Sequence, residues 1–91
     1  MESIRLEVRG RVQGVGFRWY VVEMARELGL AGWVKNTPDG NLELAAAGSR
    51  EALEKLNAAV RAGPRGARVE EVRVLPMRAS DDLKSPFAIV R

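Results

Sequence analysis

The spacing of apolar residues changes along the chain, and this change restricts the fold more than any other feature. From Ile4 to Arg9 every second residue is apolar, which predicts a half-buried strand. From Phe17 to Leu28 the apolar residues recur at three- and four-residue intervals, which predicts a helix that ends before Gly29. Both kinds of element occur within 91 residues, too few for two ordinary cores, so we expect one domain over residues 1–91.

The rest of the chain continues this mixture of strands and helices. The segments in order are a strand at 31–35, a turn at 36–40, a strand at 41–47, a helix capped by Ser49 and stopped by Gly63-Pro64, a strand around Val72 and Val74, a solvated loop at 79–82 and a short strand at 87–90. This order matches an α+β, ferredoxin-like split βαβ sandwich. In that fold one mainly antiparallel sheet has two helices on one face.

Residue types that the chain lacks exclude several chemistries. It has no cysteine and no histidine, so thiol nucleophiles, imidazole bases, disulfides and the usual zinc sites are excluded. The net charge is only +3, which is weak support for binding nucleic acid. No apolar run approaches the roughly 20 residues of a membrane span, and the first residues lack a signal-peptide pattern, so we expect a cytoplasmic protein.

A glycine-rich connection joins the first strand to the first helix. Exposed backbone N–H groups at such a helix start can bind phosphate oxygens, and the segment from Gln13 to Arg18 is the candidate. The alternative is that Gly10, Gly14 and Gly16 only turn the chain. The segment lacks the third glycine of the dinucleotide motif G-x-G-x-x-G, and the chain contains no Walker A motif.

Arg18 and Asn36 are the two candidate catalytic side chains. A cation at the start of a helix is unfavourable, because it opposes the helix dipole. The position of Arg18 is explained if its guanidinium binds a dianion. The alternative is that Arg18 is an ordinary solvated arginine. Asn36 either caps the following turn or orients a water molecule. The second role requires Asn36 to lie at the same end of the sheet as the glycine-rich connection.

Two nine-residue segments resemble the motifs of the acylphosphatases. The first, Gly10-Arg11-Val12-Gln13-Gly14-Val15-Gly16-Phe17-Arg18, resembles G-x-V-Q-G-V-x-F-R. The second, Gly32-Trp33-Val34-Lys35-Asn36-Thr37-Pro38-Asp39-Gly40, resembles G-W-V-x-N-x-x-x-G. Both are complete and in the family's order, and the likeness extends over essentially the whole chain. Trp19, which follows the arginine where smaller residues are frequent, leaves the acyl-group preference open.

The resemblance implies hydrolysis of the carboxyl–phosphate bond of a small acyl phosphate. It assigns phosphate binding to Arg18 and orientation of the attacking water to Asn36. It also implies phosphate as product and inhibitor, no metal or other cofactor, no nucleic-acid or membrane partner, and a monomer. The backbone N–H groups that it implies around the phosphate are those of Gln13, Gly14, Val15, Gly16, Phe17 and Arg18.

Two other functions remain as alternatives. A ferredoxin-like RNA-binding domain would need aromatic side chains on the open sheet face, and the candidates there, Arg5, Glu7, Arg9, Asn41 and Glu43, include none. The domain could instead act on carbamoyl phosphate, because large hydrogenase-maturation proteins begin with an acylphosphatase-like domain.

Overall fold

The computed structural model describes residues 1–78 and 81–91. Within these residues no helix is long and apolar enough to cross a membrane. The elements in chain order are β1 (Glu2–Arg11), α1 (Phe17–Glu27), β2 (Ala31–Asn36), β3 (Leu42–Gly48), α2 (Arg50–Ala62), β4 (Arg68–Leu75) and β5 (Ala88–Ile89). The order of strands and helices that the sequence predicts is therefore confirmed.

The strands form one sheet with the order β4-β1-β3-β2-β5. Neighbouring strands are antiparallel except β2 and β5, which are parallel. This is the predicted ferredoxin-like α+β arrangement. Of the loop predicted at 79–82, residues 79 and 80 lie outside the described residues, and Asp81 and Asp82 belong to no helix or strand.

Local signals in the sequence fix where the helices begin and end. Gly29 follows the end of α1 with a φ of 70°, as expected for a glycine at this position. The hydroxyl of Ser49 accepts a hydrogen bond from the N–H of Ala52 (3.1 Å), so Ser49 is the predicted N-cap of α2. Helix α2 ends at Ala62, and Gly63 is its C-cap residue.

The core lies between the two helices and one face of the sheet. The alternation in β1 is confirmed on this face, where Leu6 and Val8 are buried and Ile4 packs against the core. Phe17, the first residue of α1, is buried in the same core, and Phe87 is buried in this core next to β5. The start of α1 is thus anchored in the core by apolar contacts.

The opposite face of β1 differs from the prediction at one residue. The alternation predicts that Arg5 points to solvent, but only 5% of it is exposed. Its guanidinium contacts the carboxylate of Glu43 on β3 (2.6 Å) and donates to the carbonyl of Pro76 (3.1 Å). Because Arg5 faces Ala45 directly, the small neighbour leaves room for a diagonal ion pair on the open face of the sheet.

Candidate active site

The pairing of β1 with β4 contains a β-bulge shortly before the glycine-rich segment. The pairing of β1 with β4 shifts between Arg9 and Gly10, so one strand has an extra residue there. Gly10 has a φ of 129°, and a side chain at this position would meet the backbone carbonyl oxygen of Arg68. Only glycine fits here, and β1 stays paired with β4 beyond the bulge as far as Arg11.

The backbone N–H groups at the start of α1 are left free by the protein. Gly16 is the N-cap residue in the left-handed conformation (φ 77°), and no side chain caps this helix. Among the described residues, no acceptor receives a hydrogen bond from the N–H groups of residues 13–18. The first turn also contains no acidic residue. The segment therefore offers free donors and the positive end of a helix dipole.

Arg18 is the second residue of α1 and is exposed. It forms no ion pair with the acidic side chains that the structure describes. Its charge is thus not neutralised by a neighbouring carboxylate, and its guanidinium is available to a ligand anion.

Asn36 is the last residue of β2, opposite Leu42 of β3. Its side-chain oxygen, Oδ1, is buried and accepts no hydrogen bond from the described residues. An unpartnered buried acceptor costs about 1–3 kcal/mol, so native proteins rarely keep one without a use for it. Asn36 therefore has an acceptor that no described residue uses.

Arg18 and Asn36 line the same open pocket of about 510 Å³, which is within the size range of small-ligand sites. Three of its lining residues are cationic and none is acidic, so it suits an anion. Residues 13–17 are not part of this lining, and the convergence of their N–H groups on the pocket stays a prediction. The lining residues are Arg18, Lys35, Asn36, Thr37, Pro38, Val90 and Arg91.

The turn after Asn36 is held by a dense set of local hydrogen bonds. The N–H of Thr37 donates to the carbonyl of Asn41 (2.9 Å), and the N–H of Gly40 donates to the carbonyl of Thr37 (3.1 Å). The Thr37 hydroxyl donates to the carboxylate of Asp39 and accepts from the N–H of Asn41 (3.1 Å). The bond from Thr37 holds the pKa of the Asp39 carboxyl below its usual value.

The side chain of Gln13 links this turn to the glycine-rich segment. Its Nε2 donates to the carbonyl oxygens of Thr37 (2.9 Å) and Asn41 (2.8 Å). The glycine-rich motif predicts only a backbone role for Gln13 and does not indicate this side-chain contact. The partners are 24 and 28 residues away along the chain, so no local pattern indicates them.

Two further features of the described residues lie apart from this arrangement. No three histidine, cysteine, aspartate or glutamate side chains come together as a metal site would require. A smaller groove of about 200 Å³ lies between α2 and the strands β1 and β4, and none of the predicted site residues lines it. Its lining is Glu2, Ile4, Leu6, Arg50, Leu53, Glu54, Asn57 and Val74.

Comparison with known proteins gives matches over nearly the whole chain. The family model of the acylphosphatases matches residues 4–89. An acylphosphatase of Koribacter versatilis is 49% identical over 84 residues, which are 92% of this chain and 76% of the relative. The crystal structure of acylphosphatase from Bacillus subtilis superposes with a TM-score of 0.87 at 39% identity and full coverage of both chains. Full-length HypF, in its phosphate- and nucleotide-bound form, superposes with a TM-score of 0.85 at 26% identity over 98% of this chain and 12% of HypF.

Proposed function

The chain belongs to the acylphosphatase family and hydrolyses acyl phosphates, and we propose that Arg18 and Asn36 perform this reaction in their shared pocket. The observation that supports the proposal is that one cationic pocket is lined by Arg18 and Asn36, and that neither the Arg18 guanidinium nor the Asn36 Oδ1 has a partner among the residues that the structure describes. Residues 1–91 form a single catalytic domain in this proposal. The monomeric state that the resemblance to the acylphosphatases implies is part of the same proposal. The cytoplasmic location stays a prediction.

The phosphoryl group binds to Arg18 and to the free N–H groups of residues 13–18. The guanidinium donates charge-assisted hydrogen bonds to the phosphoryl oxygens, and the dipole of α1 favours the same negative charge. Phosphoryl transfer passes through a loose transition state with charge on the equatorial oxygens, so catalysis depends mainly on positioning and electrostatic stabilisation. These donors supply both, and inorganic phosphate therefore binds as product and inhibitor.

Asn36 orients the attacking water. The carboxamide of Asn36 holds the water by a hydrogen bond, which directs an oxygen lone pair of the water to phosphorus. The new bond forms between this oxygen and phosphorus, and the bond from phosphorus to the carboxyl oxygen breaks. The electron pair of the broken bond leaves with the carboxylate, and a phosphoryl oxygen takes the proton of the water.

The leaving group explains why so few side chains are enough. The conjugate acid of a carboxylate titrates near pH 4, so the carboxylate departs at pH 7 without a proton donor. No histidine is required for that step, and the chain has none. The water proton passes to the substrate itself, so no general base is required from the protein either.

The test is hydrolysis of benzoyl phosphate in the presence of a chelator, with inorganic phosphate as competitive inhibitor. Arg18→Ala should lose at least about 10²-fold in turnover and most of the inhibition, because it removes the main side-chain anion ligand. Asn36→Ala should lose turnover while inhibition by phosphate persists, because it removes only the water ligand.

Matched variants separate these roles from general effects on the fold. Arg73→Ala removes an exposed arginine on β4, and Asn57→Ala removes an asparagine on α2; neither residue lines the pocket. Both controls should keep wild-type turnover. Near-normal turnover of Arg18→Ala would refute its role. A loss of phosphate affinity in Asn36→Ala as large as its loss of turnover would refute the division of labour.

A further inference from the structure

We propose that the Gln13 side chain is a positioning residue that fixes Asn36 relative to the phosphate-binding segment, residues 13–18. The inference rests on the proposed function, because it acts through the water that Asn36 orients. It assigns the side chain of Gln13 a role separate from that of its backbone N–H group. The side chain of Gln13 does not touch the substrate.

The hydrogen bonds of Gln13 use its whole donor capacity. The carboxamide nitrogen has two N–H bonds, and it lies 2.9 Å and 2.8 Å from two different carbonyl oxygens, those of Thr37 and Asn41. Each of these carbonyls also accepts a backbone hydrogen bond within the turn. A carbonyl has two lone pairs, so both acceptors are then filled. No N–H of this carboxamide remains for a ligand.

The turn does not depend on Gln13 for its own shape. Its backbone hydrogen bonds and the contacts of the Thr37 hydroxyl remain when the Gln13 side chain is removed. What the removal eliminates is the direct link between the turn and the segment that precedes Arg18. Because Thr37 follows Asn36 immediately, this link sets the distance between the water ligand and the bound phosphoryl group. A misplacement of about 1 Å at such a site costs roughly 10²-fold in rate.

The two partners of the link are anchored separately. The glycine-rich segment is fixed in the core by Val12 and Phe17, each 1% exposed. The turn is fixed by the pairing of β2 with β3, in which Asn36 faces Leu42. Each part therefore keeps its own conformation without Gln13, and phosphate binding to the segment should persist. Only the alignment between the two parts is expected to change.

The variant Gln13→Met keeps a similar length and removes both donors. We expect its turnover of benzoyl phosphate to fall about tenfold or more, while the inhibition constant for phosphate stays within about twofold of the wild type. In an Asn36→Ala background the same substitution should change turnover by less than about twofold, because residues that act through one another are not additive.

A second variant gives a readout that depends on pH. In Gln13→Glu a carboxylate faces two carbonyl oxygens, which favours its protonated form and raises its pKa above about 4.3. The protonated carboxyl donates one hydrogen bond, so the turnover of this variant relative to wild type should rise as the pH falls from 7 to 5. A role in stability alone predicts no such rise when turnover is expressed per folded molecule.

Tyr20→Phe is the matched control. It removes another hydrogen bond from a side chain to a distant carbonyl, that of Ala59 (2.8 Å), which links α1 to α2 away from the pocket. Its stability should fall, but its turnover should not. Wild-type turnover of Gln13→Met, or a full additional loss in the Asn36→Ala background, would overturn this inference alone. Full turnover of Asn36→Ala would overturn the proposed role of Asn36 as well.

Discussion

Removing the side chain of Asn36 should stabilise the protein while it destroys activity. Its Oδ1 is buried and has no hydrogen-bond partner among the described residues, so the free protein bears the cost of desolvating this atom. The fold therefore carries a local cost at a residue that the proposed reaction requires. Asn36→Ala removes the atom and the cost together.

The magnitude follows from two opposing effects. Relief of one unpartnered buried acceptor is worth about 1–3 kcal/mol. Loss of packing by the truncated side chain costs at most about 0.8 kcal/mol, the value for one buried methylene. The free energy of unfolding should therefore rise by about 0.2–3 kcal/mol. For a domain of this size a gain of 1 kcal/mol raises the melting temperature by roughly 5 °C.

The assay is urea denaturation of wild type and Asn36→Ala in a buffer free of phosphate, together with turnover of benzoyl phosphate. Phosphate-free buffer is necessary because a bound ligand would add its own stabilisation. Adding inorganic phosphate should then stabilise both proteins to a similar extent, since Arg18 is unchanged. A loss of stability greater than about 1 kcal/mol in Asn36→Ala would refute the reasoning, because it would mean that the carboxamide has a structural partner.

Three further predictions concern the surroundings of the site. Arg5→Met should lower the free energy of unfolding, measured by urea denaturation, by about 3–5 kcal/mol because the carboxylate of Glu43 loses its partner. Replacing both Arg5 and Glu43 by Met should leave the stability nearly unchanged. Equal losses of stability in the single and the double variant would contradict this prediction. Gly10→Ala should cost about 1–3 kcal/mol because a side chain would meet the backbone of β4 at a positive φ, and a cost below about 0.5 kcal/mol would contradict it. The lowered pKa of Asp39 means that its contribution to stability is present above about pH 4 and is lost as pH falls through that pKa. Asp39→Asn should therefore lose less stability than wild type between pH 4 and pH 2, and identical pH profiles would exclude the contribution.

Most of the fold is predictable because its signals are local. The alternation in β1, the glycine after α1 and the serine before α2 each act on a few neighbouring residues, and the structure places them as expected. Arg5 is different, because alternation predicts the face of a strand and not what covers that face. Its burial depends on Glu43 and Pro76, which are distant along the chain.

The candidate site was predictable only in part. The motifs indicate Arg18 and Asn36, and the structure brings them to one pocket. The link from Gln13 to the turn could not be predicted, because it depends on how the connection after β1 meets the turn between β2 and β3. The convergence of the N–H groups of residues 13–18 on a phosphoryl group stays a prediction.

Titration of the ¹⁵N-labelled protein with inorganic phosphate tests the central claim most directly. We expect the largest changes in amide chemical shift at residues 13–18 and at the side-chain amide of Asn36. We also expect these changes to disappear in Arg18→Ala. Saturable changes confined to α2 and β4, with residues 13–18 unaffected, would contradict this claim.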